Sequence, residues 1–133
     1  MCVRDLLCDE FQASVSSHLV QNKSILDAIA KLNESTWRVQ RAISKAVTQC
    51  GCIRIEASRQ RVPEVASLEE LSRVLDSHVR GELCADCREQ VEKEVGNSLC
   101  YVAAVCDLVG VSMYDCLIGV DKRIRALGMF HLS

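Results

Sequence analysis

Gln49-Cys50-Gly51-Cys52 and Leu83-Cys84-Ala85-Asp86-Cys87 are the two stretches that decide how this chain folds. A Cys-x-Cys pair and a Cys-x-x-Cys pair, separated by residues 53–83, supply four soft thiolate ligands. That is the ligand number and spacing of a closed tetrahedral zinc site, with Zn–S bonds of about 2.3 Å. Zinc is the expected ion because it has no redox chemistry and accepts coordination by four sulfurs. An iron–sulfur cluster also takes four thiolates, though usually at other spacings, and free or redox-active thiols are the third reading. Burial alone accounts for cysteines as packing residues, but not for two close pairs among nine.

Around these pairs the composition is that of a folded helical chain. Hydrophobic residues make up 49% and charged residues 26% of the 133 positions, and one proline with six glycines leaves long unbroken segments. The expectation is a single all-α domain over residues 1–133, a bundle of four to five helices in which a four-cysteine zinc site joins two helices. A net charge of −2 speaks against a dedicated nucleic-acid binder, which needs a basic surface to neutralise phosphates. Met1-Cys2-Val3-Arg4-Asp5-Leu6 lacks the order of a signal peptide, and the apolar run Leu99–Cys106 is too short to span a bilayer. A cytoplasmic location follows, where thiols stay reduced; Cys2, Cys8, Cys100, Cys106 and Cys116 read as packing residues.

Apolar spacing places the helices. Leu6, Leu7, Phe11, Val15 and Leu19 support a first helix over residues 2–20, with His18 an ordinary histidine near its end. Ile25, Ile29, Leu32, Thr36, Val39, Ile43, Ala46 and Cys50 step by three and four, which predicts one long helix from Ser24 to Gln49 with a buried stripe. Arg38, Arg41 and Lys45 recur beside that stripe as a basic face able to hold a phosphate; the plainer reading is a solvated face with Glu34 paired to Arg38. Gly51 stops the helix, Ile53–Glu56 is extended but too short for a sheet, and Arg59–Ala66 is a loop. Ser67-Leu68-Glu69-Glu70 is a capping box, so a short helix follows through Leu71, Val74 and Leu75, ending by His78 or Gly81. His78 is a minor alternative metal ligand.

The next helix begins near Cys84, where the positive end of its dipole favours thiolate charge, and reaches about Val109. One face carries Val91, Val95, Leu99, Val102, Cys106 and Val109, and another Glu94, Asn97, Tyr101, Ala104 and Leu108, which makes this helix central. Gly110 ends it, Ser112–Asp115 caps a last helix through Leu117, Val120, Ile124 and Leu127, and a tail follows Gly128.

The stretch Glu94-Val95-Gly96-Asn97-Ser98-Leu99-Cys100-Tyr101-Val102-Ala103-Ala104, continuing to Leu108-Val109-Gly110-Val111-Ser112, resembles the all-α nucleoside triphosphate pyrophosphohydrolases of the MazG-like superfamily. Lys31-Leu32-Asn33-Glu34-Ser35-Thr36-Trp37-Arg38 can be laid on that family's preceding helix. The Cys-Gly-Cys-Ile and Glu-Leu-Cys-x-x-Cys-Arg-Glu segments also resemble a family of short bacterial proteins related to MazG.

In MazG-like enzymes a Glu-x-x-Glu pair and a Glu-x-x-Asp pair bind Mg²⁺, the hard cation that bridges phosphates and activates water. Here the first pair aligns with Ser35 and Arg38, and the second keeps Glu94 but has Asn97 for the aspartate. The resemblance therefore implies a degenerate hydrolase with no catalytic residues, a binding or regulatory role and a pocket at a homodimer interface, beside the structural zinc read from the cysteine spacing. Arg38, Arg41 and Lys45 are the candidates for holding nucleotide or phosphate, and Arg38 is expected to approach Glu94 in place of the lost metal. The alternative is an active Mg²⁺-dependent pyrophosphohydrolase with rearranged ligands drawn from Glu89, Glu92, Glu94, Asn97 and Asp107. Spacing weakens it, since Glu92 and Glu94 point about 160° apart around the helix.

Overall fold

Helices dominate the computed structural model, which describes residues 3–19, 23–64 and 67–127. In chain order the elements are α1 (Val3–His18), α2 (Ile25–Lys45), a π-helical turn (Ala46–Cys50), β1 (Ile53–Ile55), α3 (Leu68–Val74), β2 (Val79–Gly81), α4 (Ala85–Leu108) and α5 (Met113–Leu127). The described residues form two compact units: one takes the chain up to Val39 and from Lys93 onward, the other is Gln40–Glu92. No single described helix is long and apolar enough to cross a membrane.

In the first unit, α1 lays Val15 against Ala103, Ala104 and Met113, and Phe11, Leu19 and Cys100 pack around that cluster. Alanines at the centre let helix backbones approach closely, so a small core suffices. Gln12 fixes the turn between α4 and α5: its Nε2 donates to the Val111 carbonyl at 2.8 Å, and its Oε1 accepts the Met113 N–H at 3.0 Å. α4 stops where Gly110 takes φ +72°, and the Val111 N–H returns to the Cys106 carbonyl at 2.8 Å. The Ser112 hydroxyl then accepts the Asp115 N–H at 3.3 Å and starts α5.

The predicted buried stripe of α2 is covered only in part: Ala46 is fully buried and Leu32 and Val39 are half-buried, but its isoleucines are not covered. Ala28 and Ser35 are buried, whereas Ile25, Ile29 and Ile43 are exposed, and Leu26 is 70% exposed. In the first turns, small residues one position away from the stripe, Ala28 and Ser35, are the buried ones. Leu6 and Leu7 of α1 and Val95 and Leu99 of α4 are likewise exposed.

In the second unit, the hairpin is the main departure from expectation. Ile53–Ile55 is not merely extended: it pairs antiparallel with β2, matching Ile53 to Gly81, Arg54 to Arg80 and Ile55 to Val79. The Glu56 N–H to His78 carbonyl bond, 2.9 Å, extends the ladder. Three-residue strands carry too little alternation to be read from sequence, and the second was hidden behind α3. That helix begins at the predicted capping box, with Ser67 Oγ accepting the Glu70 N–H at 3.2 Å and Glu70 Oε2 accepting the Ser67 N–H at 3.1 Å. It ends at Val74 because Leu75 turns extended and the Asp76 carboxylate captures the His78 N–H at 3.0 Å, holding His78 at φ +62°.

Asp76 also binds the Arg80 guanidinium, which reaches Glu56 at 3.5 Å, and Glu56 binds Arg54 at 2.8 Å. Arg80, followed by the His78 N–H, holds the Asp76 carboxyl below its usual range. The Gln60 side chain grips the Asp76 peptide from both sides, donating to its carbonyl at 2.7 Å and accepting its N–H at 3.1 Å. Residues 20–22, 65–66 and the tail after Leu127, including the predicted stop at Gly128, lie outside the described residues.

Candidate metal centre

Cys50 reaches the centre through a change of helical pitch. At Ala46 the α2 ladder widens, so that the Gly51 N–H bonds the Ala46 carbonyl five residues back at 2.9 Å. Gly51 then takes φ +79°, a left-handed conformation in which an added Cβ would meet nothing within 4 Å. The turn carries Cys52 to the edge of the hairpin, and its Sγ lies 3.8 Å from the Ala46 carbonyl. Sequence spacing placed Gly51 as the stop but gave no sign of the π turn.

From the other side, Cys84 directly precedes α4 and Cys87 sits in its first turn. The Cys87 N–H points at Cys84 Sγ, 3.4 Å away, as the dipole argument requires. That N–H, with the Cys87 thiol, lowers the Cys84 thiol to about 7, while Cys84 in turn pushes the Cys87 thiol up. The site thus favours thiolate at Cys84 first.

The four sulfurs of Cys50, Cys52, Cys84 and Cys87 all lie within 4.8 Å of one another, and those of Cys50 and Cys84 are 3.8 Å apart. Sulfurs at about 2.3 Å from a tetrahedral ion stand about 3.8 Å from each other, so the donor set fits a four-coordinate metal. All four are free thiols, and Cys50 is exposed while the others are partly buried. His78 is not part of this cluster; its Nε2 is buried without a hydrogen-bond partner.

Gly81 supports the cysteine cluster, and in the sequence it reads only as a possible helix end. It adopts φ +83°, and a Cβ there would stand 2.6 Å from the Cys52 carbonyl oxygen. The two strands can come together beside Cys52 only over a residue without a side chain. The signal was present as a glycine three residues ahead of Cys84, but its contact with Cys52 crosses the hairpin and has no local signature.

A second site lies in the first unit. Lys31, Glu34, Ser35, Arg38, Asn97 and Tyr101 line a cavity of about 230 Å³. Arg38 does not pair with Glu94 as expected. It donates to Glu34 Oε1 from Nη2 at 2.8 Å and from Nε at 3.3 Å, while Lys31 holds Glu34 Oε2 at 3.1 Å. An i, i+4 partner on the same helix is reached without crossing the cavity. The hydrogen bond from Arg38, followed by the hydrogen bond and charge of Lys31, lowers the Glu34 carboxyl, and Glu94 acts on Arg38 only through space.

Glu94 Oε2 and Ser98 Oγ, one turn apart on α4, are buried without protein hydrogen-bond partners. Arg41 and Lys45 do not line this cavity, so the predicted basic face contributes only Arg38 to it. Glu92 and Glu89 are exposed and do not line it. No protein-family model, curated protein or solved structure matches this chain.

Proposed function

We propose that the chain is a zinc-clamped helical protein with a binding or regulatory role, a catalytically degenerate relative of the MazG-like hydrolases that works in the cytoplasm. The observation that carries this reading is the convergence of four thiol sulfurs within 4.8 Å in a unit whose only buried apolar residues, among those described, are Ala46 and Ile53. So little apolar burial leaves a hairpin of two three-residue strands marginal in water, and coordination supplies the missing order. Elemental analysis of the purified chain tests it: one zinc per chain is expected, and a chain purified under reducing conditions that takes up no zinc on reconstitution refutes it.

Support for lost hydrolysis comes from the cavity of the first unit. Both oxygens of Glu34 are engaged by Lys31 and Arg38, so the protein supplies its own cations where Mg²⁺ would need open carboxylates. The same two cations suit a phosphate-bearing ligand such as a nucleotide, held without a metal. Thermal-shift titration with nucleotides, with and without Mg²⁺, separates retained binding from none. Pyrophosphate release that a Glu94→Gln substitution abolishes would favour the hydrolase reading instead.

A second copy of the chain is the occupant this reading assigns to the open face of α2. Ile25, Leu26 and Ile29 expose an apolar surface that a soluble helix ordinarily covers. Sedimentation equilibrium tests this part, with a dimer expected.

A further inference from the structure

We propose that the thiolate centre is an oxidation site for hydroperoxides, at which Cys50 and Cys84 close a disulfide across the two cysteine pairs and expel the metal. The inference rests on the metal-binding reading above and adds its regulation. Three observations carry it. Cys50 is the exposed member of the set, so an oxidant meets its sulfur first. Its sulfur lies 3.8 Å from that of Cys84, which belongs to the other pair. Closing from there to a disulfide bond of about 2.05 Å needs a movement of about 1.8 Å, within reach of side-chain rotation at an exposed residue that ends a helical turn.

The chemistry balances with one hydroperoxide. The Cys50 thiolate attacks the peroxide; the O–O bond breaks, a sulfenic acid forms on Cys50, and the departing hydroxide, or the alkoxide of an organic hydroperoxide, takes a proton from solvent to leave as water or alcohol. The Cys84 thiolate then attacks the sulfenic sulfur. The S–S bond forms, the S–O bond breaks, and the departing hydroxide takes a proton from solvent to leave as water. The peroxide is reduced by the electrons the two thiolates lose. Cys52 and Cys87 remain as two sulfurs, too few for a closed zinc site, and each takes up a proton as the ion departs.

The cross-pair linkage gives oxidation a different outcome from simple metal loss. A disulfide between Cys50 and Cys84 ties the end of the π turn to the start of α4, the same two segments that the ion joined. The oxidised chain therefore keeps its hairpin, whereas the reduced, chelated chain loses both ties. A linkage within either pair would restore nothing between the segments.

The test uses the full chain reconstituted with zinc and treated with hydrogen peroxide in the presence of a colorimetric zinc chelator, followed by peptide mapping without reduction. Expected are one zinc released per Cys50–Cys84 linkage formed, recovery of that linked peptide, and recovery of zinc binding after thiol reductant. Cys116, exposed and outside the cluster, serves as the internal control for oxidant dose. Zinc retained while Cys116 is oxidised overturns the proposal and leaves the metal site standing. Zinc released with Cys84 linked to Cys87, or Cys50 to Cys52, overturns the cross-pair assignment. A chain that never takes up zinc overturns the metal reading and this inference with it.

Discussion

Gly81→Ala is the sharpest perturbation of the candidate metal centre that leaves all four cysteines in place. The added Cβ would stand 2.6 Å from the Cys52 carbonyl oxygen, and also 3.6 Å from the Cys52 carbonyl carbon and from Ile53 Cα, all of them backbone. Ordinary contact would need the two strands to part by about 0.8 Å, with Cys52 carried along; overpacking of this kind typically costs about 1–3 kcal/mol. The left-handed backbone at φ +83° adds about 1–2 kcal/mol for a residue with a Cβ. The sum is about 2–5 kcal/mol. If it falls on the metal-bound form, zinc affinity drops at least about 30-fold, at about 1.4 kcal/mol per tenfold.

Competition against a chromophoric chelator reads this directly. Two other glycines calibrate the effect. Gly51→Ala has the left-handed backbone but open space, so only the about 1–2 kcal/mol conformational cost applies. Gly96→Ala, inside α4 with nothing within 4 Å, should stabilise the chain by about 0.5–1 kcal/mol and leave zinc affinity unchanged. Wild-type zinc affinity in Gly81→Ala would refute the reasoning, as would equal losses at all three positions.

Removing zinc by chelation under reducing conditions should raise amide exchange at least about tenfold in residues 52–56 and 78–82 while leaving residues 100–106 protected, as read by mass spectrometry. The Asp76 carboxyl, held low by Arg80, stabilises the hairpin at pH values above its ordinary range near about 4, and that contribution is lost as the pH falls below it. An acid titration of amide exchange in the hairpin should show the loss, and Asp76→Asn should flatten it. In the metal-free chain, the alkylation rate of Cys84 should climb through a midpoint of about 7 while Cys87 reacts more slowly at neutral pH. Ile29→Glu, on the exposed face of α2, should shift a dimer toward monomer in sedimentation with no loss of helicity.

Local chemistry was legible in the sequence and pairing across distance was less so. The capping box at Ser67 and Glu70 and the left-handed stops at Gly51 and Gly110 follow from interactions within a few residues, and each appears where the residue types demand. The two cysteine pairs were also readable, because four soft donors at those spacings have few other uses. The hairpin was missed because its strands contribute only three residues each and its stability is shared with the cysteines that flank it. The α2 stripe shows a different failure. Periodicity states which face is apolar but is silent on whether the cover comes from the same chain. For Arg38 the plainer reading, an i, i+4 pair with Glu34, holds and the expected approach to Glu94 does not, because a carboxylate one turn away on the same helix is the nearer partner.

The grip of Gln60 on the Asp76 peptide joins the chain where it leaves the hairpin to the point where it returns. Everything between those residues hangs from a closed ring, so its length is decoupled from the cysteine geometry. Each doubling of such an excursion costs only about 0.6 kcal/mol of closure entropy. The excursion is thus the natural place to graft a reporter peptide or a foreign loop.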